Sequence, residues 1–201
     1  MRPLTIEDLL PLDEYIPQRA DFFAAHLRYL DRYRRVRVGP HLTVVFENRQ
    51  TLWYRVQELL RVTRIEDPAQ VQQELAWYNQ LLPRRNRLQA ALLIMIPEDA
   101  GLLQELRRWR GLADGALRLI IDQQSIPAKL ITNREGDLAV GTAHWIEFPL
   151  NHPERQALHD HRRAVYLEVA FEEYVHRSGP LSEEIRQSLF DDLDLSDRDA
   201  A

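Results

Sequence analysis

Leu42-Thr43-Val44-Val45-Phe46 runs directly into Glu47-Asn48-Arg49-Gln50-Thr51 and then Leu52-Trp53-Tyr54-Arg55-Val56-Gln57-Glu58-Leu59-Leu60-Arg61. The first five residues are apolar or β-branched, the composition of a strand. Asn48 or Thr51 can cap a helix, and the spacing predicts that this helix runs to about Ile65 with Leu52, Val56, Leu59, Leu60 and Thr63 on one face. Arg55, Glu58 and Arg61 follow each other at three-residue steps on another face, where they can form a charge ladder. A strand that turns at once into a capped helix calls for a fold that packs both element types against each other.

Working outward, the upstream chain reads as helical. Thr5 followed by Glu7 and Asp8 marks a helix start. Pro11 interrupts, Pro17 sits near the start of the next helix, and Phe22, Phe23, Leu27 and Leu30 recur at helical spacing to about Tyr33. Gly39-Pro40 breaks the chain. Downstream, Asp67-Pro68 starts a helix that ends at Leu82-Pro83. Leu88 to Ile96 is apolar nearly throughout, as expected of a central strand covered on both faces. A helix over 97–110, strands over 116–122 and 126–132, a turn at 133–137, a strand over 143–150, a short helix over 153–160, a strand over 164–174 with a helix as its rival, and a final helix over 181–193 complete the reading. This order predicts an α+β fold: a mixed, mainly antiparallel sheet of about five to six strands with helices packed on it, in a single domain 1–201 with N-terminal helices in 5–33 and an acidic tail, 194–201, that frays.

Composition narrows the classes of function. The chain has 201 residues, 45% hydrophobic and 28% charged, with a net charge of −5, the profile of an ordinary globular protein. Residues 181–201 carry seven acids and two arginines, so they account for the whole net charge. A neutral body with an acidic end argues against nucleic acid as a partner. The basic run Arg28, Arg32, Arg34, Arg35 and Arg37 reads as a solvated face at a helix end. With no cysteine, the chain can form no disulfide, iron–sulfur centre or thiolate nucleophile. No apolar run is long enough for a membrane helix, and the acidic N-terminal stretch does not resemble a secretory signal, so the expected location is the cytoplasm.

Four groups of residues can carry chemistry. Glu47, Arg49, Arg55, Glu58 and Arg61 crowd the strand-to-helix junction, where carboxylates and guanidinium groups can either form a structural network or hold an anion, with Arg49, Arg55 and Arg61 as the substrate-binding candidates. His144 lies in a strand beside Trp145, either as a core histidine or as a base or ligand. With Glu47 and Glu58 it makes up the candidate catalytic set, and the same three are the alternative metal ligands, although no metal or other cofactor is predicted. His159-Asp160-His161 has metal-ligand spacing but stands beside Arg162 and Arg163, which discourage a cation. Glu173 and His176 have the spacing that di-iron bundles use on helices, without the second motif such bundles need.

Taken together, LTIEDLLPLDEYIPQR near the start, GPHLTVVFENRQTLWYRVQELLRV at 39–62, ELAWYNQLLP at 74–83 and HWIEFPL at 144–150 resemble a bacterial family of about 200 residues classed as a domain of unknown function. Phe46, Glu47, Arg49, Thr51, Gln57, Glu58 and Arg61 match its pattern, whereas Leu59 stands where methionine is common and Thr63 near a usual glutamate. Genes of that family often lie near a rubrerythrin-like protein and an iron–sulfur oxidoreductase. The resemblance therefore implies an accessory or interaction protein of a bacterial redox or stress-response system, with any redox centre held by the redox-protein partner. The alternative is an enzyme or metalloprotein whose Glu/His/Arg pocket acts on a small anionic substrate. A homo-oligomer is compatible with either.

Overall fold

The computed structural model describes residues 1–96, 109, 112, 115–131 and 142–198, the last five of these as backbone. The elements in chain order are a 3₁₀ turn at Ile6–Asp8, α1 (Leu12–Tyr33), β1 (Arg35–Val38), β2 (Leu42–Phe46), α2 (Arg49–Thr63), α3 (Pro68–Tyr78), a second 3₁₀ turn at Asn79–Leu81, β3 (Arg87–Ile94), β4 (Leu117–Ile121), β5 (Gln124–Pro127), β6 (Lys129–Leu130), β7 (Ala143–Pro149), α4 (His152–His159), β8 (Val165–Phe171), β9 (Tyr174–Arg177) and α5 (Glu183–Arg198). The helix expected over 97–110 and the turn at 133–137 lie outside the described residues.

The α+β class and the antiparallel pairing are as the sequence reads. The strands, however, divide between two sheets, ordered β1-β2-β3-β7-β6 and β5-β4-β8-β9, and every pairing is antiparallel. The apolar run Ile126–Thr132 reads as one strand but serves both. β5 pairs with β4, the chain passes through buried Ala128, and β6 pairs with β7. Strands that change sheet at a corner in this way join packed sheets.

The faces follow from the two-residue period of a strand. Leu42, Val44 and Phe46 of β2, Leu88, Ala90 and Leu92 of β3, and Ile146 and Phe148 of β7 meet Leu117, Leu119, Val165, Leu167 and Val169 of the other sheet in one core. Alternate residues face the helices. There Leu52, Val56 and Leu60 of α2 pack with Val71 and Leu75 of α3 and with Leu4, and Trp145 of β7 borders this second cluster. β2 and most of β3 are therefore buried on both sides, as the unbroken apolar reading of Leu88–Ile96 requires.

Two strands that the sequence does not reveal are edge strands. In β1, Val36 and Val38 are buried while Arg37 is exposed. In β9, Tyr174 is buried beside exposed Val175 and Arg177. Glu173 and His176 thus lie on a hairpin and not on a helix: Glu172 takes φ +51° in the turn, and Phe171 pairs with Tyr174. Tyr174 ties the two sheets together. Its hydroxyl donates to the Val38 carbonyl at 2.6 Å and accepts from the His41 amide at 3.1 Å. Gly39 makes room for it, with φ +69°. A Cβ there would stand 2.5 Å from the Tyr174 oxygen and 2.6 Å from the His176 ring, so both the backbone and the neighbours require glycine.

Candidate functional site

Asn48 organises the start of α2. Its side chain accepts from the Gln50 and Thr51 amides, both at 3.1 Å, and Thr51 Oγ1 accepts from the Asn48 amide at 2.9 Å. This is a reciprocal cap with threonine in the place of the usual glutamate. The side-chain nitrogen Nδ2 of Asn48 donates to Tyr29 Oη at 2.9 Å and reaches Asp192 Oδ1 at 3.5 Å. Asp192 of α5 is paired with Arg34, and both side chains are buried. Arg34 also donates to Ser188 Oγ at 2.7 Å and to Tyr29. Arg34 is therefore not on the solvated face that its neighbours suggest; it anchors the C-terminal helix to the α2 cap. Burial pushes the Asp192 carboxyl up, opposed by Arg34 and Asn48. For Arg34, burial pulls down but the charge of Asp192 outweighs it, so the guanidinium holds its proton more tightly.

Above this cap opens a cleft of about 660 Å³. Arg2, Asp8, Asn48, Arg49, Trp53 and Asp192 line it. Asp8 is its electrostatic centre. It accepts from Arg2 Nη2 at 2.6 Å and from the Thr5 amide at 2.9 Å, and Arg49 Nη2 approaches its other oxygen at 2.6 Å. Arg49 holds the Asp8 carboxyl well below the usual range, at about 2, with the Thr5 amide assisting. The approach from Arg49 is an ion pair without hydrogen-bond alignment: Nε and Nη2, the two donors of one guanidinium edge, have no hydrogen-bond acceptor in line. Trp53 forms a wall, its indole N–H donating to the Asp8 carbonyl at 2.8 Å. Two guanidinium groups thus share one carboxylate, leaving a positive charge in excess at the mouth.

The other sequence candidates fall into separate groups. Glu47 is buried on the helix side of β2, where Thr51 donates to it and Arg55 binds it through Nε at 2.9 Å and Nη2 at 2.6 Å. Arg55 also lies over the Trp145 ring at 5.0 Å. Glu58 accepts from Arg19 at 2.9 and 2.8 Å, from Arg61 twice at 3.1 Å and from Tyr15 at 2.9 Å. The Arg19 bonds, then those from Arg61 and Tyr15, outweigh partial burial and hold Glu58 at about 2. The ladder is therefore split: Arg61 pairs with Glu58, whereas Arg55 turns back to Glu47. His144 stands in register with Leu92 and Val44, hence on the inter-sheet side of β7, opposite to the face that carries Glu47. Glu47, Glu58 and His144 are not brought into one group. Among the described residues, no set of three or more His, Asp or Glu side chains is placed to hold a metal ion. His159 ends α4 with its ring 6.0 Å from that of His161, and Asp160 between them is bound by Arg162 and Arg163.

Asp8, Arg2, Trp53 and Asp192 are the members of the cleft that the sequence reading did not single out. The Thr5-to-Asp8 capping spacing was the one local signal. Asp192 had none, because its partner lies 158 positions away.

The architecture defines an α+β protein with two antiparallel sheets, one of them covered by helices. A family profile described as "Protein of unknown function (DUF3501)" matches residues 3–193, and the chain belongs to that family. A crystal structure at 1.90 Å resolution of a novel protein of unknown function from Burkholderia pseudomallei K96243 is similar, with 25% sequence identity, a TM-score of 0.85, and coverage of 96% of this chain and 100% of that chain. No curated protein matches the sequence. Among the described residues, no helix is long and apolar enough to cross a membrane.

Proposed function

We propose that this protein is an accessory or interaction protein of a bacterial redox or stress-response system, acting in the cytoplasm, and that it recognises a carboxylate or phosphate group in the cleft at the start of α2. One observation carries the reading: Arg2 and Arg49 converge on the single carboxylate of Asp8. Guanidinium groups take planar anions in paired hydrogen bonds; Arg2 is open to solvent, the buried Nε–Nη2 edge of Arg49 becomes available as its pairing with Asp8 opens, and Trp53 offers an apolar wall beside them. Among the described residues, the lining includes no imidazole and no hydroxyl nucleophile, which suits binding better than turnover. The redox setting comes from the family resemblance. Since the chain has no cysteine, an iron–sulfur centre would belong to the partner.

Calorimetric titration with inorganic phosphate and with succinate tests the cleft. Saturable binding is expected for the native chain, weakened about tenfold or more by Arg49→Gln, the loss of one charge-assisted contact. Heats indistinguishable from dilution for both probes would overturn the anion reading. Affinity capture from native cells tests the setting separately: recovery of a redox protein supports it, and its absence in repeated captures counts against it.

A further inference from the structure

A second hollow, which shares no lining residue with the anion cleft, opens where the start of α1 meets the end of α2 and the start of α3. It encloses about 480 Å³, within the range of small-molecule sites. Leu60 of α2 and Val71 of α3, both buried members of the helix-side cluster, form its floor, and the partly buried Leu12 and Ile65 stand above them. The chain leading into α1 is fixed beside it by a buried amide. Gln57, fully buried, accepts from the Leu10 amide at 3.0 Å and donates to the Leu10 carbonyl at 3.3 Å. One side chain thus satisfies both polar groups of the Leu10 backbone, and the loop is held without any apolar group having to fill the hollow.

The charge at the mouth is of one sign. Asp13 of α1 and Glu66 of the link between α2 and α3 line the hollow, and both are exposed. Neither makes an ion pair among the described residues, unlike Asp8, Glu47 and Glu58, each of which is bound by arginine. Among the described residues, the lining holds no lysine, arginine or histidine. Arg61 at the end of α2 is taken up by Glu58, and Arg64, although exposed, is not one of the lining residues. An apolar hollow with unpaired carboxylates at its mouth discriminates by repulsion as well as attraction. A fatty acid or other anionic amphiphile meets like charge, and a neutral apolar molecule leaves the acids unmatched. A molecule with an apolar body and an ammonium end sets the body against Leu60 and Val71 and keeps the charge in water beside Asp13 and Glu66. We propose that this hollow is a binding site for a small hydrophobic amine. Apolar burial supplies most of the affinity, while the two carboxylates, being exposed, supply a modest selectivity.

Methyl-detected NMR of the full chain, titrated separately with hexylammonium, hexanol and hexanoate, tests the site. The methyl groups of Leu60, Ile65 and Val71 are expected to shift saturably with hexylammonium. Hexanol should bind about fivefold more weakly, the margin that two exposed carboxylates provide, and hexanoate more weakly still. Asp13→Asn combined with Glu66→Gln, two changes at exposed positions, is expected to lower the affinity for hexylammonium to that for hexanol and to leave hexanol unaffected. Arg49→Gln, in the anion cleft, should alter neither, so the outcome here is independent of the anion reading. Absence of saturable shifts at these methyl groups overturns the proposal. So does a native chain that binds hexanol or hexanoate as tightly as hexylammonium, or a doubly neutralised variant that keeps the native affinity for the amine.

Discussion

At its N-terminal end, α2 is held by acids that water does not reach: Asp192 beneath the Asn48 cap and Glu47 beside it, each bound to an arginine. Three turns further on, Glu58 binds Arg19 and Arg61 with the same chemistry, but it is 20% exposed and Arg19 41%. The difference in solvent access changes what each pair does. A buried ion pair stabilises little against an apolar alternative, yet breaking one leaves an uncompensated charge in the core. A half-exposed pair exchanges hydration for contact and yields little either way. The first end fixes the position of α5 relative to α2, while the second trims the packing of α1 on α2.

The largest effect is expected where the desolvation is greatest. Asp192→Ala strands Arg34 and should lower unfolding stability by about 3–5 kcal/mol, whereas the paired change Arg34→Met with Asp192→Leu should recover most of it. Urea midpoints measure both, and a single substitution that shifts the midpoint no more than a surface change would remove the distinction between the two ends. Glu47→Gln comes second, at about 2 kcal/mol, because Arg55 loses its counter-charge but keeps partial access to water. Glu58→Gln is smallest, at about 1 kcal/mol or less at neutral pH.

The Glu58 effect also depends on pH, and its sign follows from the direction of the shift. Glu58 and Asp8 are both held at about 2. Their stabilisation is complete above the ordinary carboxylate range and is lost as pH falls from there towards 2. Half-buried His26, lowered to about 4 by desolvation and then by Arg55 and Arg35, acts in the same direction: below its ordinary value of 6.5 the unfolded chain takes up a proton that the folded chain refuses. Melting temperatures of the native chain and Glu58→Gln should therefore converge on acidification. A gap that stays constant down to pH 3 would show that Glu58 contributes through shape and not through charge.

The sequence makes the local layers of this molecule readable and its long-range ones opaque. β2, α2, α3 and β3 were legible because each carries its period and its cap within a few residues: Asn48 before α2, Asp67-Pro68 before α3. β1 was hidden because an edge strand needs only alternate apolar residues, and Arg35 and Arg37 gave it the look of a charged helix end. The division into two sheets was hidden because the stretch from Ile126 through Pro127, Ala128 and Lys129 to Leu130 is short enough to read as one strand. In the cleft, Asn48 and Arg49 lie in the segment that reads as a site, whereas Asp8 and Asp192 reach it from opposite ends of the chain. The pairing of Arg34 with Asp192, in particular, has no counterpart in any local pattern.

Arg186 of α5 is buried, and its guanidinium donates to the carbonyls of Ala157, Leu158, Asp160 and Arg163 at the end of α4. Together with Asp192 it makes one late helix complete two earlier and separate pieces of structure. Both contacts close long loops, the longer spanning 158 positions, and closing such loops is an entropic burden met before any reward arrives. Until α5 docks, Arg34 and the carbonyls at the end of α4 have water as their partner, and the floor of the cleft is unfinished.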